Sequence, residues 1–446
     1  MNKPTKLTAA RAAAVLSLLF LVIYGGCNWI TAHRSDVGTW YYSWEHFIPF
    51  VPLMIVPYMS IDLLFVAAPF ICNSHAELRI LCRRISFAIL VAGIFFLAMP
   101  LKMGVARPLT TGWTGALFHM LHGFDQPYNL FPSLHIALRT ILAELYARHT
   151  KGVTRIASHV WFSLIGFSTL LTYQHHFVDV VGGFVLAAFC FYIFREAPHA
   201  RAFVPNRRVG GYYAVGAILC LCAAFAAWPW TAILLWPALA LGVVVSGYWF
   251  FGPVIFGKSE GRLPWSTRIV LAPVIFGQYL SLLHYRCQAD AWNEVTPQLW
   301  IGARLNQREA VEARRLGVTA VLDLTTEFPE PPAFRELAYC NIPVLDLTEL
   351  TVEHLRQSVG FISQHAKSGI VYVHCKVGYS RSAAAIGAYL IASGAAADAA
   401  AALEILKRTR SGIIFRPEVF VALEKFCRGD KSKLSSAQRA SLAVSS

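Results

Sequence analysis

The stretch His374-Cys375-Lys376-Val377-Gly378-Tyr379-Ser380-Arg381-Ser382 decides how the C-terminal third of this chain is read. It follows the β-branched run Gly369-Ile370-Val371-Tyr372-Val373 and leads into an apolar, helix-forming run from Arg381 to Ser393, so the spacing predicts strand, loop, helix. In that setting the backbone N–H groups of Lys376, Val377, Gly378, Tyr379, Ser380 and Arg381 can curl into an anion-binding nest at a helix N-terminus. The same dipoles lower the pKa of the Cys375 thiol, and the thiolate is the nucleophilic form. Gly378 permits a turn that a side chain would obstruct. Arg381 offers a planar fork that grips two phosphate oxygens. Ser382 can donate a hydrogen bond to the thiolate when it leaves again. A general acid must protonate the departing oxygen. Asp346, 29 residues before Cys375 at the end of Ile342-Pro343-Val344-Leu345, is the favoured candidate; Asp323, inside the buried run Ala320 to Leu324, is the rival.

Outward from this motif the pattern is α/β. Strands are expected at Leu299 to Gly302, Thr319 to Leu324, Tyr339 to Leu345 and Gly369 to Val373. Helices are expected at Gln307 to Leu316, Val352 to Ala366, Arg381 to Ser393, Ala396 to Arg410 and Pro417 to Phe426. Strands alternating with helices imply a mainly parallel sheet covered on both faces. The segment 292–427 resembles a dual-specificity protein phosphatase. That resemblance implies two-step transfer through a cysteinyl-phosphate without a metal, with Cys375 as nucleophile, Arg381 as phosphate binder and Asp346 as acid. The Trp-Pro-Asp signature of narrow tyrosine phosphatases is absent. The resemblance therefore points to the shallow-pocket branch, whose members take phosphoserine, phosphothreonine, phosphotyrosine or phospholipid headgroups.

Upstream the composition changes. The chain of 446 residues is 56% hydrophobic and 14% charged, whereas soluble domains carry about a quarter charged residues. The apolar excess sits in residues 1–285. Runs of membrane-spanning length fall at roughly 9–27, 47–72, 85–103, 132–147, 156–174, 177–194, 211–228 and 231–256, which predicts about eight spans, the first read as uncleaved. A further run, 269–285, is interrupted by Pro273, Gly277 and Gln278 and reads as an interfacial helix. Alternate loops collect Lys and Arg at Lys3–Arg11, Arg79–Arg84, Arg148–Arg155, Arg195–Arg208 and Lys258–Arg268, against Arg34, Lys102 and Arg107 on the other side. Such a bias places the N-terminus and the C-terminal domain in the cytoplasm of a multi-pass protein, read as bacterial inner membrane. It also accounts for the net charge of +14 without nucleic acid as a partner. The ten cysteines show no C-x-x-C pair or His/Cys ligand spacing, so no metal site, cofactor or disulfide framework is expected.

Ionisable groups in apolar runs are costly and default to function. Three clusters fall on the side away from the basic loops: Lys102-x4-Arg107-Pro108, Pro132-Ser133-Leu134-His135 and His175-His176-Phe177-Val178-Asp179. His175 and Asp179 are four apart and share a helix face. The carboxylate can hold one ring nitrogen while the other attacks phosphorus. His135 can act as acid, and Arg107, Ser133 and Lys102 can bind phosphate oxygens. These residues, within about 85–195, resemble the type 2 phosphatidic acid phosphatase superfamily. The departures are four residues rather than six between Lys102 and Arg107, Leu134 for Gly, and Ser168-Thr169 for the Ser-Arg pair. The forms present look like the inositol phosphorylceramide synthase branch, whose members transfer a phospho-headgroup between lipids.

The organisation expected is thus a transmembrane domain over 1–256, a juxtamembrane linker over 257–291, a phosphatase-like domain over 292–427 and a disordered tail over 428–446. The substrate is a phospholipid or a phosphoprotein. The alternative is a signalling phosphatase on a catalytically degenerate membrane anchor.

Overall fold

The computed structural model describes residues 3–195, 202–227, 231–417 and 419–428, so the expected tail lies, from 429 on, outside the described residues. The chain divides into two compact units, Met1–Ala197 and Pro198–Ser446.

The first unit is a helical bundle: α1 Lys6–Ala32, α2 Ile55–Ile71, α3 His75–Ala98, α4 Gly112–Phe124, α5 Leu134–His149, α6 Gly152–Leu171 and α7 Phe177–Ile193. Each of the six apolar runs expected here is helical. Helix α4 was not expected, because its apolar residues are broken by His119 and His122 and the run is short. The core packs Leu16, Phe65, Ile85, Ile89, Ile141 and Ile165 from α1, α2, α3, α5 and α6. Side-chain oxygens satisfy exposed N-terminal amides: Ser74 accepts from the Glu77 N–H at α3, and Ser133 from the Ile136 N–H at α5. Gly183 lets α7 approach α5 closely, since a Cβ there would stand 2.5 Å from the Ser133 carbonyl oxygen.

The second unit begins with α8 Arg207–Ala226, α9 Leu235–Ser246, α10 Trp265–Val270 and α11 Ala272–Arg286. The interrupted run at 269–285 is therefore mostly α11, with a break at Leu271 just before the new start at Ala272-Pro273, where Pro is tolerated. Among the described residues, five helical segments are long and apolar enough to cross a membrane: Lys6–Ala32, Pro52–Ile71, His75–Ala98, Arg207–Ala226 and Leu235–Phe256. The last two belong to the same unit as the α/β part.

That part runs β1 Trp292–Thr296, β2 Leu299–Gly302, α12 Gln307–Arg315, β3 Val318–Asp323, α13 Pro332–Arg335, β4 Ala338–Asn341, α14 Val352–His365, β5 Ile370–His374, α15 Arg381–Ala392 and α16 Ala399–Thr409. A final helical stretch occupies 419–428. The sheet order is β1-β2-β5-β3-β4. Only β1 is antiparallel; β2, β3, β4 and β5 pair in parallel. The expected parallel sheet is present, with β1 as an unexpected edge. The strand expected over Tyr339 to Leu345 stops at Asn341, because the chain turns away at Ile342-Pro343, and Pro cannot donate to a ladder. Central strands β3 and β5 are buried on both faces, as near-continuous Val, Ile and Leu runs require. One face packs Leu322, Val371 and Val373 against Ile386 and Leu390 of α15 and Leu355 of α14; the other packs Val321 and Tyr372 against Phe334 and Ala310.

Candidate functional site

Strand β5 ends at His374, and the next residues wrap into a loop before α15 begins at Arg381. Gly378 sits at φ +83° in this loop, and a Cβ there would stand 2.7 Å from the Gly302 carbonyl oxygen. Both facts require glycine: the left-handed backbone and the contact with β2 exclude a side chain. The loop is held from behind by the Arg304 N–H on the Lys376 carbonyl (3.1 Å), by Arg410 Nη2 on the Val377 carbonyl (2.9 Å) and by the Ile414 N–H on the Tyr379 carbonyl (3.0 Å). Ser380 takes the N-cap position of α15.

The Cys375 Sγ is buried inside this loop. It accepts the Gly378 N–H at 3.3 Å and the Ser382 hydroxyl at 3.5 Å. Burial pushes the thiol up, but the Arg381 charge and these donors outweigh it and bring the pKa from 9.0 down to about 7.

Arg381 is also buried. Its Nη1 donates to the Val344 carbonyl (2.7 Å) and the Leu324 carbonyl (3.2 Å). Glu327 takes both ends of the guanidinium, Oε1 at 2.8 Å from Nη2 and Oε2 at 3.3 Å from Nη1. Asp346 reaches the same group, with Oδ1 at 3.1 Å from Nη2, while its Oδ2 accepts from Lys376 Nζ at 2.8 Å. Burial raises the Asp346 pKa, and Arg381 and Lys376 more than offset it, so the carboxyl is held below its ordinary value. The structure thus brings Cys375, Arg381, Ser382, Lys376 and Asp346 into one cluster.

The rival Asp323 lies elsewhere, at the buried end of β3. It is ion-paired to Lys258 and accepts from Tyr339 Oη at 2.6 Å and from the Thr325 N–H and hydroxyl, each at 2.7 Å. Burial raises its pKa, but Lys258 and His374 pull it down to about 2. Asp323, Glu330 and His374 bring ligand atoms within 4.8 Å of one another. Lys258 already neutralises Asp323 there, and His374 Nε2 lies 3.4 Å from Glu330 Oε1, so the group is a buried ion-pair network.

In the first unit, the sequence-predicted residues converge in part. His135 and His175 line one cavity of about 100 Å³, with Tyr24, Tyr58, Asp62, Asp125 and Asn129. The Ser133 N–H donates to the Asp179 carbonyl at 2.9 Å, which ties α5 to α7. His175 Nδ1 lies 3.7 Å from Asp179 Oδ2, which accepts the His176 N–H at 2.8 Å. His175 Nδ1 and His135 Nε2 are buried without a hydrogen-bond partner. The neighbouring His176 is fully engaged, Nδ1 on Glu45 at 2.9 Å and Nε2 on the Gly104 N–H at 3.0 Å. The Ser133 hydroxyl caps α5 rather than facing the cavity. Arg107 donates to the Tyr173 carbonyl at 2.7 Å and meets His122 at 3.0 Å, outside the cavity lining. The Lys102 side chain is exposed and also outside it.

Four participants were missed in the sequence: Glu327, Lys258, Glu45 and Asp125. Each carboxylate or ammonium finds its partner across at least 54 residues of chain, so no local spacing announces it.

Residues 13–193 match the PAP2 superfamily, and residues 299–427 match the family described as dual specificity phosphatase, catalytic domain. Mouse dual specificity protein phosphatase 12 is 37% identical over 102 residues, covering 22% of this chain and 30% of that protein. The chain therefore spans under a third of that relative's length. The Arabidopsis thaliana phosphatidylglycerophosphate phosphatase PTPMT2 is 26% identical over 170 residues, 36% of this chain and 73% of that protein. A crystal structure of PTPMT1 in complex with PI(5)P is 24% identical with a TM-score of 0.30, over 32% of this chain and 99% of that one. The chain joins a match to the PAP2 superfamily at its N-terminus to a match to the dual-specificity phosphatase catalytic domain at its C-terminus, and among the described residues five helical segments are long and apolar enough to cross a membrane.

Proposed function

We propose that the second unit hydrolyses phosphomonoesters by covalent catalysis at Cys375, and that the first unit carries a separate His-dependent lipid phosphatase or phosphotransferase site. The observation that carries the first half is the Cys375 thiol, brought to about 7 at the N-terminus of α15 within the same cluster as Arg381 and Asp346. At neutral pH about half of the protein then holds a thiolate.

The thiolate attacks phosphorus while Arg381 and the loop N–H groups bind the equatorial oxygens. The P–O ester bond breaks, and Asp346 delivers a proton to the leaving oxygen, releasing an alcohol. Asp346 must be protonated for this step. A phosphate dianion competes with its carboxylate for Arg381 and Lys376, which raises the acid's proton affinity when substrate binds. Water then attacks the cysteinyl-phosphate and Asp346 takes its proton. The S–P bond breaks with the Ser382 hydroxyl on the departing thiolate, leaving inorganic phosphate.

In the first unit, His175 Nε2 is the proposed nucleophile, Asp179 its orienting partner and His135 the acid. Convergence of His135 and His175 on one cavity supports this reading. Lys102 is the weakest member of the set. The Lys and Arg bias of the loops supports placing the two sites on opposite sides of the membrane, with the Cys375 domain in the cytoplasm. Among the relatives, PTPMT2 is named for a phospholipid substrate and favours lipid metabolism; dual specificity protein phosphatase 12 is named for proteins and favours signalling.

The deciding experiment is acid-quench trapping with a radiolabelled phosphomonoester and the full-length chain. Wild type accumulates label on Cys375, and Cys375→Ser accumulates none and does not turn over. Full turnover by Cys375→Ser would end the proposal.

A further inference from the structure

A groove of about 340 Å³ in the second unit opens directly onto the catalytic cluster. It is lined by Tyr213 of α8, Leu241 of α9, Tyr248, and Val274, Gly277 and Gln278 of α11, and it ends at Asp346 and Lys376. Two of its walls come from helical segments long and apolar enough to cross a membrane, Arg207–Ala226 and Leu235–Phe256. The charged groups Asp346 and Lys376 lie at one end, and Leu241, Pro273, Val274 and the rings of Tyr213 and Tyr248 line the rest together with Gln278 and Ser281.

The catalytic groups are physically held by these helices. Lys376 Nζ donates to Gln278 Oε1 at 2.8 Å, and Gln278 Nε2 donates to Tyr213 Oη at 3.0 Å. Tyr248 Oη donates to the backbone carbonyl of Asp346 at 2.7 Å, and Tyr213 stacks on Tyr248 with ring centroids 5.4 Å apart. Tyr213 of α8, Tyr248 and Gln278 of α11 are therefore part of one wall of the phosphatase site, and these helices are not merely a tether to it. Lys376 and Arg381 supply positive charge at one end for a phosphate, and aromatic and aliphatic side chains line the path from there to the helices.

We infer that this groove is the acyl-chain channel of the Cys375 site, so that its substrate is a lipid phosphomonoester that enters sideways from the membrane with its phosphate on Arg381 and Lys376. The inference rests on the covalent reading of Cys375. A phosphopeptide has no use for an apolar lateral groove between membrane-crossing helices and approaches from water instead.

Gly277 gives a clean probe. It is helical and exposed, and a Cβ there would meet nothing within 4 Å, so Gly277→Leu fills the groove without displacing the protein. Leucine also favours the helix over glycine. The full-length chain would carry His175→Ala, to silence the first unit, in phosphatidylcholine vesicles. Turnover of dioleoyl phosphatidic acid in the bilayer is compared with that of p-nitrophenyl phosphate in water.

The lipid-to-p-nitrophenyl ratio of kcat/KM is expected to fall by about tenfold or more in Gly277→Leu, because the channel then excludes methylenes it would bury. Leu241→Trp, from the α9 wall, is expected to do the same. A ratio within about twofold of the parent in both variants overturns the channel, as does faster cleavage of a phosphotyrosyl peptide than of the lipid by the parent chain. Retention of p-nitrophenyl phosphate turnover by Cys375→Ser would instead sink the covalent reading, so the two failures are distinguishable.

Discussion

Glu327 Oε1 stands 2.8 Å from Arg381 Nη2, and its second oxygen faces Nη1 at 3.3 Å. Both side chains are buried, so this pair fixes the plane of the guanidinium that must meet phosphate. Glu327→Gln keeps the volume and removes the charge. kcat/KM toward a soluble phosphomonoester is expected to fall on the order of tenfold to a hundredfold, since small misplacement of a binding group has that effect. An unchanged value would show that the Val344 and Leu324 carbonyls orient Arg381 unaided.

Cys375 titrates near 7, well below the ordinary thiol value of 9.0. The thiolate is the reactive form, so the rate of carboxymethylation by iodoacetate should rise with pH, reach half its maximum near pH 7 and level off above it. Arg381→Ala removes the main lowering charge while burial stays, so the midpoint should move up. A midpoint that stays put would mean the loop amides alone hold the thiolate.

Asp346→Asn removes the acid without changing its shape. Alkyl phosphates, whose leaving group needs a proton, should lose about 10²- to 10⁴-fold in kcat. p-Nitrophenyl phosphate, whose leaving group does not, should lose much less. Equal losses for both classes would assign Asp346 to binding rather than proton transfer.

His135→Ala and His175→Ala each leave the Cys375 site intact. In a Cys375→Ser background, release of phosphate from a membrane lipid should drop by about a hundredfold or more with either change. No lipid turnover in the Cys375→Ser background with both histidines in place would make the first unit an anchor, and turnover that ignores both histidines would end their catalytic role.

Lys258 is buried against Asp323, Thr325 and the Thr325 carbonyl. Lys258→Met leaves Asp323 as an uncompensated buried charge and should cost about 3–5 kcal/mol in the unfolding of the second unit. The Asp323 pKa is lowered in the folded state, to about 2. Its contribution to stability is therefore present above the ordinary carboxylate pKa and fades as pH falls toward 2. Urea unfolding in detergent across that range checks the sign.

Much of this was legible along the chain because the signals are local. Cys375 and Arg381 lie six residues apart on one strand–loop–helix, and the pattern of β-branched and apolar runs announces β3, β5 and α15. The spacing of His175 and Asp179 predicts a shared helix face, but α7 begins at Phe177 with His176 as its N-cap, so His175 lies in the turn before the helix and its Nδ1 approaches Asp179 only to 3.7 Å. Helices long and apolar enough to cross a membrane follow from run length alone. What only the tertiary structure decided is everything that depends on side chains distant in sequence meeting in a dry interior. Glu327 rather than a neighbour fixes Arg381; Lys258 occupies Asp323 and so removes the rival acid; Arg107 turns to Tyr173 and His122 while Lys102 stays exposed. Above all, α8, α9 and α11 fold onto the phosphatase domain through Tyr248 and Gln278. Sequence periodicity marks which face of a helix is apolar but not what covers it, because that is set by packing among elements that the chain brings together only on folding.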